Sequence, residues 1–176
     1  MASYIFQKAT KSDVSQIISL YDELNDYLEK HTNYPNWKKG VYPTFKTAQV
    51  AFELDTLFCL KQGDVIVASV ILNHLPEKGY ELVNWGVDFK DSEVLIIHTC
   101  VVNPLFVGQR VGSELMDAIR QYALSIKKKA IRLDVSVYNE PAIALYEKVN
   151  YVYIATVDLN LEIIDLKWFR LYQLLL

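Results

Sequence analysis

Apolar residues along this chain recur at two different spacings, and the changes from one to the other lay out short strands and amphipathic helices. Tyr4-Ile-Phe-Gln-Lys8 reads as a strand, and Thr10-Lys-Ser-Asp13 then offers hydroxyl and carboxylate groups to cap a helix. Val14, Ile17, Ile18, Tyr21, Leu24 and Leu28 follow at helical spacing and predict an amphipathic helix of about four turns. The pattern fails between His31 and Pro43, a loop rich in aromatic and turn residues (Asn33-Tyr-Pro-Asn-Trp37, Gly40-Val-Tyr-Pro43). A shorter helix is predicted over Lys46 to Leu54. Thr56 to Lys61 and Asp64 to Asn73 read as strands joined by Gln62-Gly63-Asp64, an antiparallel hairpin. Residues 76 to 92 fit neither period and receive no assignment.

Val94 to Val102 is a nearly continuous apolar run rich in β-branched residues, the pattern of a central strand covered on both faces, and Asn103-Pro104 stops it. Helical spacing returns at Val111, Leu115, Met116, Ile119, Tyr122, Ala123 and Ile126, and Lys127-Lys-Lys129 closes that helix, where cations meet the negative end of its dipole. Ile131 to Val135 is the next strand, Pro141 to Val149 a helix, Tyr151 to Val157 a strand, and Leu166 to Leu175 a last strand. The order predicts an α/β architecture, one domain around one mixed sheet.

Size and composition agree with a single folded unit. The chain has 176 residues, 52% hydrophobic and 22% charged, within the ordinary globular range. A formal charge of −3 lacks the basic field that nucleic-acid binding requires, so DNA and RNA are not expected partners. Cys59 and Cys100 lie in apolar runs without CxxC spacing and are expected to be buried free thiols. No signal-like opening and no run of about 18 apolar residues is present, so the expectation is a cytoplasmic protein that does not span a membrane. His31 and His74 have no ligand-spaced partners, and no metal is expected.

Chemistry concentrates in two stretches. Val102-Asn-Pro-Leu-Phe-Val-Gly-Gln-Arg-Val-Gly-Ser-Glu-Leu115 sets a loop with two glycines between a buried strand and a helix. Such a loop aims backbone N–H groups and the helix's positive end at one anion, a pyrophosphate for example. The same layout also serves simply to make a strand-to-helix turn. It is neither a P-loop nor a GxGxxG fingerprint, which disfavours nucleotide triphosphates and dinucleotides. The stretch resembles the GNAT N-acetyltransferase family, in which an apolar strand ends in a Val-x-Pro-like step followed by Arg/Gln-x-x-Gly-x-Gly/Ala. Here these are Val102-Asn103-Pro104 and Val107-Gly108-Gln109-Arg110-Val111-Gly112. Val107 stands where the family has Arg or Gln, and Arg110 where it has its first glycine. The second stretch, Ile131 to Asn139 followed by Glu140-Pro-Ala-Ile-Ala-Leu-Tyr146-Glu-Lys-Val-Asn150-Tyr151, resembles the family's next strand, Asn-x-x-Ala helix and "LYEKxGF" ending. Asn150 replaces the glycine there, and asparagine is the next best residue for a left-handed helix stop.

The resemblance implies the GNAT fold: a mixed, mostly antiparallel sheet of about seven strands flanked by about four helices. It also implies acetyl transfer from acetyl-CoA to an amine acceptor within a ternary complex. By resemblance, the pantetheine arm pairs with backbone near Cys100, Val101 and Val102, and amides of Val107, Gly108, Gln109, Arg110, Val111 and Gly112, with Ser113, take the pyrophosphate. Asn139 contacts the pantetheine region, caps the helix that follows, or does both. Tyr146 matches the tyrosine that protonates the leaving thiolate; a phenol is a reasonable donor to a thiolate of similar basicity.

His98, two residues before Cys100, occupies a position similar to a catalytic histidine of arylalkylamine N-acetyltransferases, and is either a general base or a hydrogen-bonded core residue. Glu81 and Asp88 are weaker base candidates. Tyr34, Trp37 and Tyr42 in the first interhelical loop suit an amine-bearing substrate or cover the core edge. Lys127 to Lys129 reads as a solvated helix end. Two rival readings stand: a CoA-binding domain of this fold without catalysis, and a nucleotide-binding module that uses the glycine loop. The apolar end at Leu174-Leu-Leu176 is a candidate for homodimer formation.

Overall fold

Thr10 and Asp13 start the first helix as their chemistry predicts. The Asp13 carboxylate accepts from the Thr10 N–H at 2.9 Å and the Thr10 hydroxyl at 2.8 Å, a capping box before the helix's apolar stripe. In this computed structural model, which describes residues 3–161 and 165–176, the elements are β1 (Ile5–Lys8), α1 (Lys11–Lys30), α2 (Phe45–Glu53), β2 (Leu57–Gln62), β3 (Val65–Asn73), β4 (Val94–Val102), α3 (Val111–Ser125), β5 (Ala130–Ser136), α4 (Glu140–Lys148), β6 (Val152–Asp158) and β7 (Trp168–Leu175). Seven strands form one sheet in the order β1-β2-β3-β4-β5-β7-β6. β1–β2, β2–β3, β5–β7 and β6–β7 are antiparallel, and β4–β5 is parallel. With four helices on a mixed, mostly antiparallel sheet, the expected fold class holds. α1 runs for 20 residues, longer than its apolar stripe indicates, because the polar cap and the terminal Lys30 extend it. The unassigned stretch holds two short 3₁₀ turns, Tyr80–Leu82 and Asp91–Glu93, within irregular chain.

The chain gathers into two compact units. The first comprises Met1–Asn33, Trp37–Leu72 and Thr99–Leu115. Its core sets Ile17, Leu20 and Tyr21 of α1 and Ala48 and Ala51 of α2 against Leu57 and Cys59 of β2, with Ile66 and Val101. Each large apolar side chain removed from water there contributes roughly 2 kcal/mol.

The second unit comprises Tyr34–Asn36, Asn73–His98 and Met116–Leu176. β5 is an inner strand there, pairing with β4 from Val94–Ala130 to Ile97–Leu133 and with β7 along its whole length. Asn150 (φ 69) ends α4 in the left-handed conformation, with the Tyr151 N–H on the Tyr146 carbonyl at 3.0 Å, the Schellman stop expected of asparagine. Lys127 to Lys129 is a tethered helix end: the Lys128 ammonium donates to the Ser92 carbonyl (2.7 Å) and Lys129 pairs with Glu93 at 2.5 Å. β7 lies between β5 and β6, so Phe169, Leu171 and Tyr172 face the interior at 0 to 3% exposure. Leu175, near the end of that strand, is 54% exposed.

Candidate active site

In the first unit, β4 stops following ordinary strand geometry at Thr99. This residue has φ 46, a left-handed conformation rare for a β-branched side chain and costly by about 1–2 kcal/mol. A short hydrogen bond between the Tyr42 and Thr99 hydroxyls holds it, so the first interhelical loop is tied to β4 one residue before Cys100. Trp37 packs edge-on to Tyr42 at 5.5 Å and is itself bracketed by Asn33, which accepts from its N–H at 3.1 Å and donates to its carbonyl at 2.6 Å. Tyr34 of that loop belongs to the second unit. Val101 is buried while Cys100 and Val102 are partly exposed. Cys100 is thus less enclosed than its apolar setting predicts; Cys59 is fully buried, and burial pushes its thiol up to about 11.

The glycine loop turns on Asn103, whose side-chain oxygen accepts from the Leu105 N–H and whose own N–H reaches the Val67 carbonyl, both at 2.9 Å. Gly108 (φ 80) and Arg110 (φ 65) are both left-handed. Arg110 therefore holds a backbone conformation that glycine adopts without cost, which is the physical content of the family's glycine there. Within the loop, the N–H groups of Val107 and Gln109 donate to the carbonyls of Pro104 and Phe106. The Glu114 N–H closes the first helical bond on Arg110. Val111, Gly112 and Ser113 then occupy the first turn of α3, where a helix leaves its N–H groups without intrahelical acceptors.

In the second unit, the parallel ladder ends at Ile97–Leu133 although both strands continue. The next residue on each strand is ionisable, His98 on β4 and Asp134 on β5. His98 is gripped on both ring nitrogens: Nδ1 lies 3.3 Å from a Glu77 carboxylate oxygen, and Nε2 lies 3.0 Å from the Asn73 side-chain oxygen. That same oxygen accepts the Leu75 N–H at 2.9 Å, which fixes the orientation of the amide. The hydrogen bond from His98 holds Glu77 below the usual carboxylate range. Asp134 accepts the Tyr80 phenol at 2.8 Å, and burial pushes its carboxyl up to about 6 against the opposing pull of Tyr80 and His98. Burial and the neighbouring Asp134 push the Tyr80 phenol well above its ordinary range.

Beside them, the Arg132 guanidinium stacks 4.1 Å from the Trp85 ring and donates to Gln173 at 2.9 Å. A cavity of about 600 Å³ opens among Tyr80, Glu81, Trp85, Asp88, Phe89 and Arg132. The two weaker base candidates thus line this cavity, and Glu81 also accepts the Gly79 N–H at 2.9 Å.

Asn139 caps α4, its side-chain oxygen accepting from the Ala142 N–H, with Pro141 in the first turn. Tyr146 is buried on the inner face of α4, its ring 6.0 Å from that of Tyr151 and 6.3 Å from that of Tyr172. His31 stacks on Tyr27, and His74 meets the Val94 carbonyl at 2.6 Å. Among the described residues, no group of three or more His, Cys, Asp or Glu is placed to hold a metal ion, and no helix is long and apolar enough to cross a membrane.

Sequence reasoning passed over Asp134, Tyr80 and Glu77. One signal was available: Arg132 and Asp134 alternate with buried apolar residues in β5, which puts two charges on one face of an interior strand. Tyr80 and Glu77 come from irregular chain, where periodicity carries no information.

The model of the acetyltransferase (GNAT) family matches residues 17–151, and the chain belongs to that family. An uncharacterized N-acetyltransferase of Methanocaldococcus jannaschii is 26% identical over 149 residues, 85% of this chain; the chain spans 61% of that relative's length. Among solved structures, a GNAT-family acetyltransferase from Listeria monocytogenes superposes with a TM-score of 0.75 at 15% identity, over 98% of this chain and 95% of its own. An N-acetyltransferase from Staphylococcus aureus gives 0.71 at 14% identity, over 98% of both chains. The yncA protein of Salmonella typhimurium, solved with its cofactor acetyl-CoA, gives 0.68 at 14%, over 98% and 93%. At these identities the structural likeness establishes the fold.

Proposed function

We propose that this chain is an N-acetyltransferase that moves the acetyl group of acetyl-CoA directly to the amine of a small molecule in a ternary complex, the whole chain acting as one acetyltransferase domain. The observation that carries this reading is the turn from β4 into α3. A left-handed glycine and the open first turn of a helix follow a strand whose parallel ladder has already ended. The N–H groups of Val111, Gly112 and Ser113 suit a pyrophosphate, with Gly108 and Arg110 shaping the approach and the Arg110 guanidinium adding charge. The Val107 and Gln109 amides support that turn from inside. Backbone around Cys100, Val101 and Val102 pairs with the pantetheine arm, with Asn139 as a further contact. The aromatic pair Trp37–Tyr42, with Tyr34, receives the acceptor.

In the reaction the amine attacks the thioester carbonyl, the C–S bond breaks, and Tyr146 protonates the departing thiolate. His98, held by Glu77 and Asn73, belongs to the side that receives the amine's proton. No step calls on a metal. The test is thermal shift with acetyl-CoA, CoA, ATP and NAD, followed by thiol release with a panel of amines. Acetyl-CoA and CoA alone should stabilise the protein, and Tyr146→Phe should lose turnover while keeping that stabilisation. Stabilisation by ATP or NAD instead, or full turnover in Tyr146→Phe, would remove the corresponding assignment.

A further inference from the structure

We propose that Asp134 is the group that takes the proton from the acceptor's ammonium, with Tyr80 and the His98–Glu77 pair setting the surroundings of its carboxylate. This deepens the acetyl-transfer reading and rests on it. The argument begins with the ladder. Its last pair is Ile97–Leu133, so His98 and Asp134 are the first residues on their strands released from it. Interior strands are seldom given charged residues unless these are paired, and here the pairing is incomplete by design of the neighbours. Tyr80 donates one hydrogen bond, to Oδ2. No ammonium or guanidinium forms an ion pair with this carboxylate among the described residues; Arg132, two residues away on β5, is engaged by Trp85 and Gln173. Leu171, opposite Asp134 on β7, is apolar. A carboxylate so placed has no ion-pair partner among the described residues, and an incoming ammonium would supply one.

His98 is the poorer proton acceptor in this arrangement. Both of its ring nitrogens already face acceptor oxygens, those of Glu77 and Asn73, so neither nitrogen is turned toward a substrate. The charged and titratable groups acting on Asp134 are Tyr80 and Glu77 from the chain between β3 and β4, and His98 from β4. Their balance, with burial foremost, places the carboxyl at about 6, which suits a base working near neutral pH. The proton account closes: the ammonium N–H bond breaks, its proton forms the carboxylic acid at Asp134, and the freed lone pair forms the C–N bond. The C–S bond breaks and the thiolate receives a proton from Tyr146; the nitrogen sheds its second proton as the neutral amide forms, which restores the Tyr146 phenol by way of solvent, and Asp134 later returns its own proton to solvent.

The experiment measures kcat/KM against pH for thiol release with putrescine, phenethylamine, lysine and an aminoglycoside, in the wild type and in Asp134→Asn, Tyr80→Phe and Glu77→Gln. The wild type should show an acid limb with its midpoint near 6. Asp134→Asn should lose that limb and at least about 100-fold in kcat/KM at pH 7, with its stabilisation by acetyl-CoA intact. Tyr80→Phe removes a hydrogen bond that favours the carboxylate, so its midpoint should move up, with activity recovering at pH 8.5. Glu77→Gln removes a negative charge, so its midpoint should move down. If Asp134→Asn does not fold, the Tyr80→Phe shift decides the matter, because a purely structural phenol would lower activity equally at every pH. Turnover and an acid limb unchanged in Asp134→Asn, or an unmoved midpoint in Tyr80→Phe, would overturn this inference and leave acetyl transfer standing. Absence of thiol release with every amine would overturn both.

Discussion

Two aspartates, one in each compact unit, show how the same side chain is put to opposite uses. Asp13 is 1% exposed, and it receives the Lys61 ammonium at 2.9 Å together with both donors of Thr10. Burial raises its carboxyl, but the bonds from Lys61 and Thr10 outweigh that and hold it below the ordinary value. Asp134 has a phenol where Asp13 has an ammonium, and its carboxyl rises from 3.8 to about 6. A fully matched carboxylate belongs to the architecture. One left short of positive charge is available for chemistry.

The contrast is sharpest in stability measurements. Asp13→Asn should cost about 3 kcal/mol at pH 7, since it takes the charge out of the capping box and strips a mostly buried lysine of its partner; urea unfolding measures this. The folded carboxyl of Asp13 lies below its unfolded value, so its contribution is present above about pH 4 and is lost as pH falls further. A smaller loss, unchanged between pH 3 and 7, would dissolve the distinction.

Asp134→Asn should have the opposite sign. Its folded carboxyl lies above the unfolded value, so ionisation costs stability as pH rises from about 4 to about 6 and the cost stays constant above. The substitution should therefore stabilise the protein by about 1 to 2 kcal/mol at pH 7.5, after allowance for partial exposure, and the gain should vanish near pH 4. A variant that gains stability while losing turnover marks a residue kept for function; a destabilised one would make Asp134 a second structural aspartate. The smallest effect concerns backbone conformation. Arg110→Gly relieves the left-handed conformation and should stabilise by about 0.5 to 1 kcal/mol, measured by thermal melting, while weakening CoA binding through loss of the guanidinium.

Most elements were legible because their signals are local. Val94 to Val102 reads as a strand from its apolar run alone, and the helix stop at Asn150 follows from asparagine's tolerance of positive φ. The glycine loop was legible as a motif, but its internal division was not: which amides turn inward depends on the 3₁₀ turn at Pro104–Phe106. The place of the final strand was not legible, since strand order in a sheet is set by pairing between distant segments and not by the apolarity of one.

By itself the sequence determined the succession of strands and helices, the capping and stop residues, and the two motifs that mark the family, all of which rest on interactions within a few residues. Tertiary structure decided that β7 lies between β5 and β6, that Thr99 takes a left-handed conformation within β4 where Tyr42 holds it, and that Asp134 meets Tyr80 from 54 residues away. The physical reason is that a carboxyl's proton affinity and a hydroxyl's partner depend on what surrounds them in space, and aperiodic chain such as residues 76 to 92 carries no local pattern from which those surroundings follow.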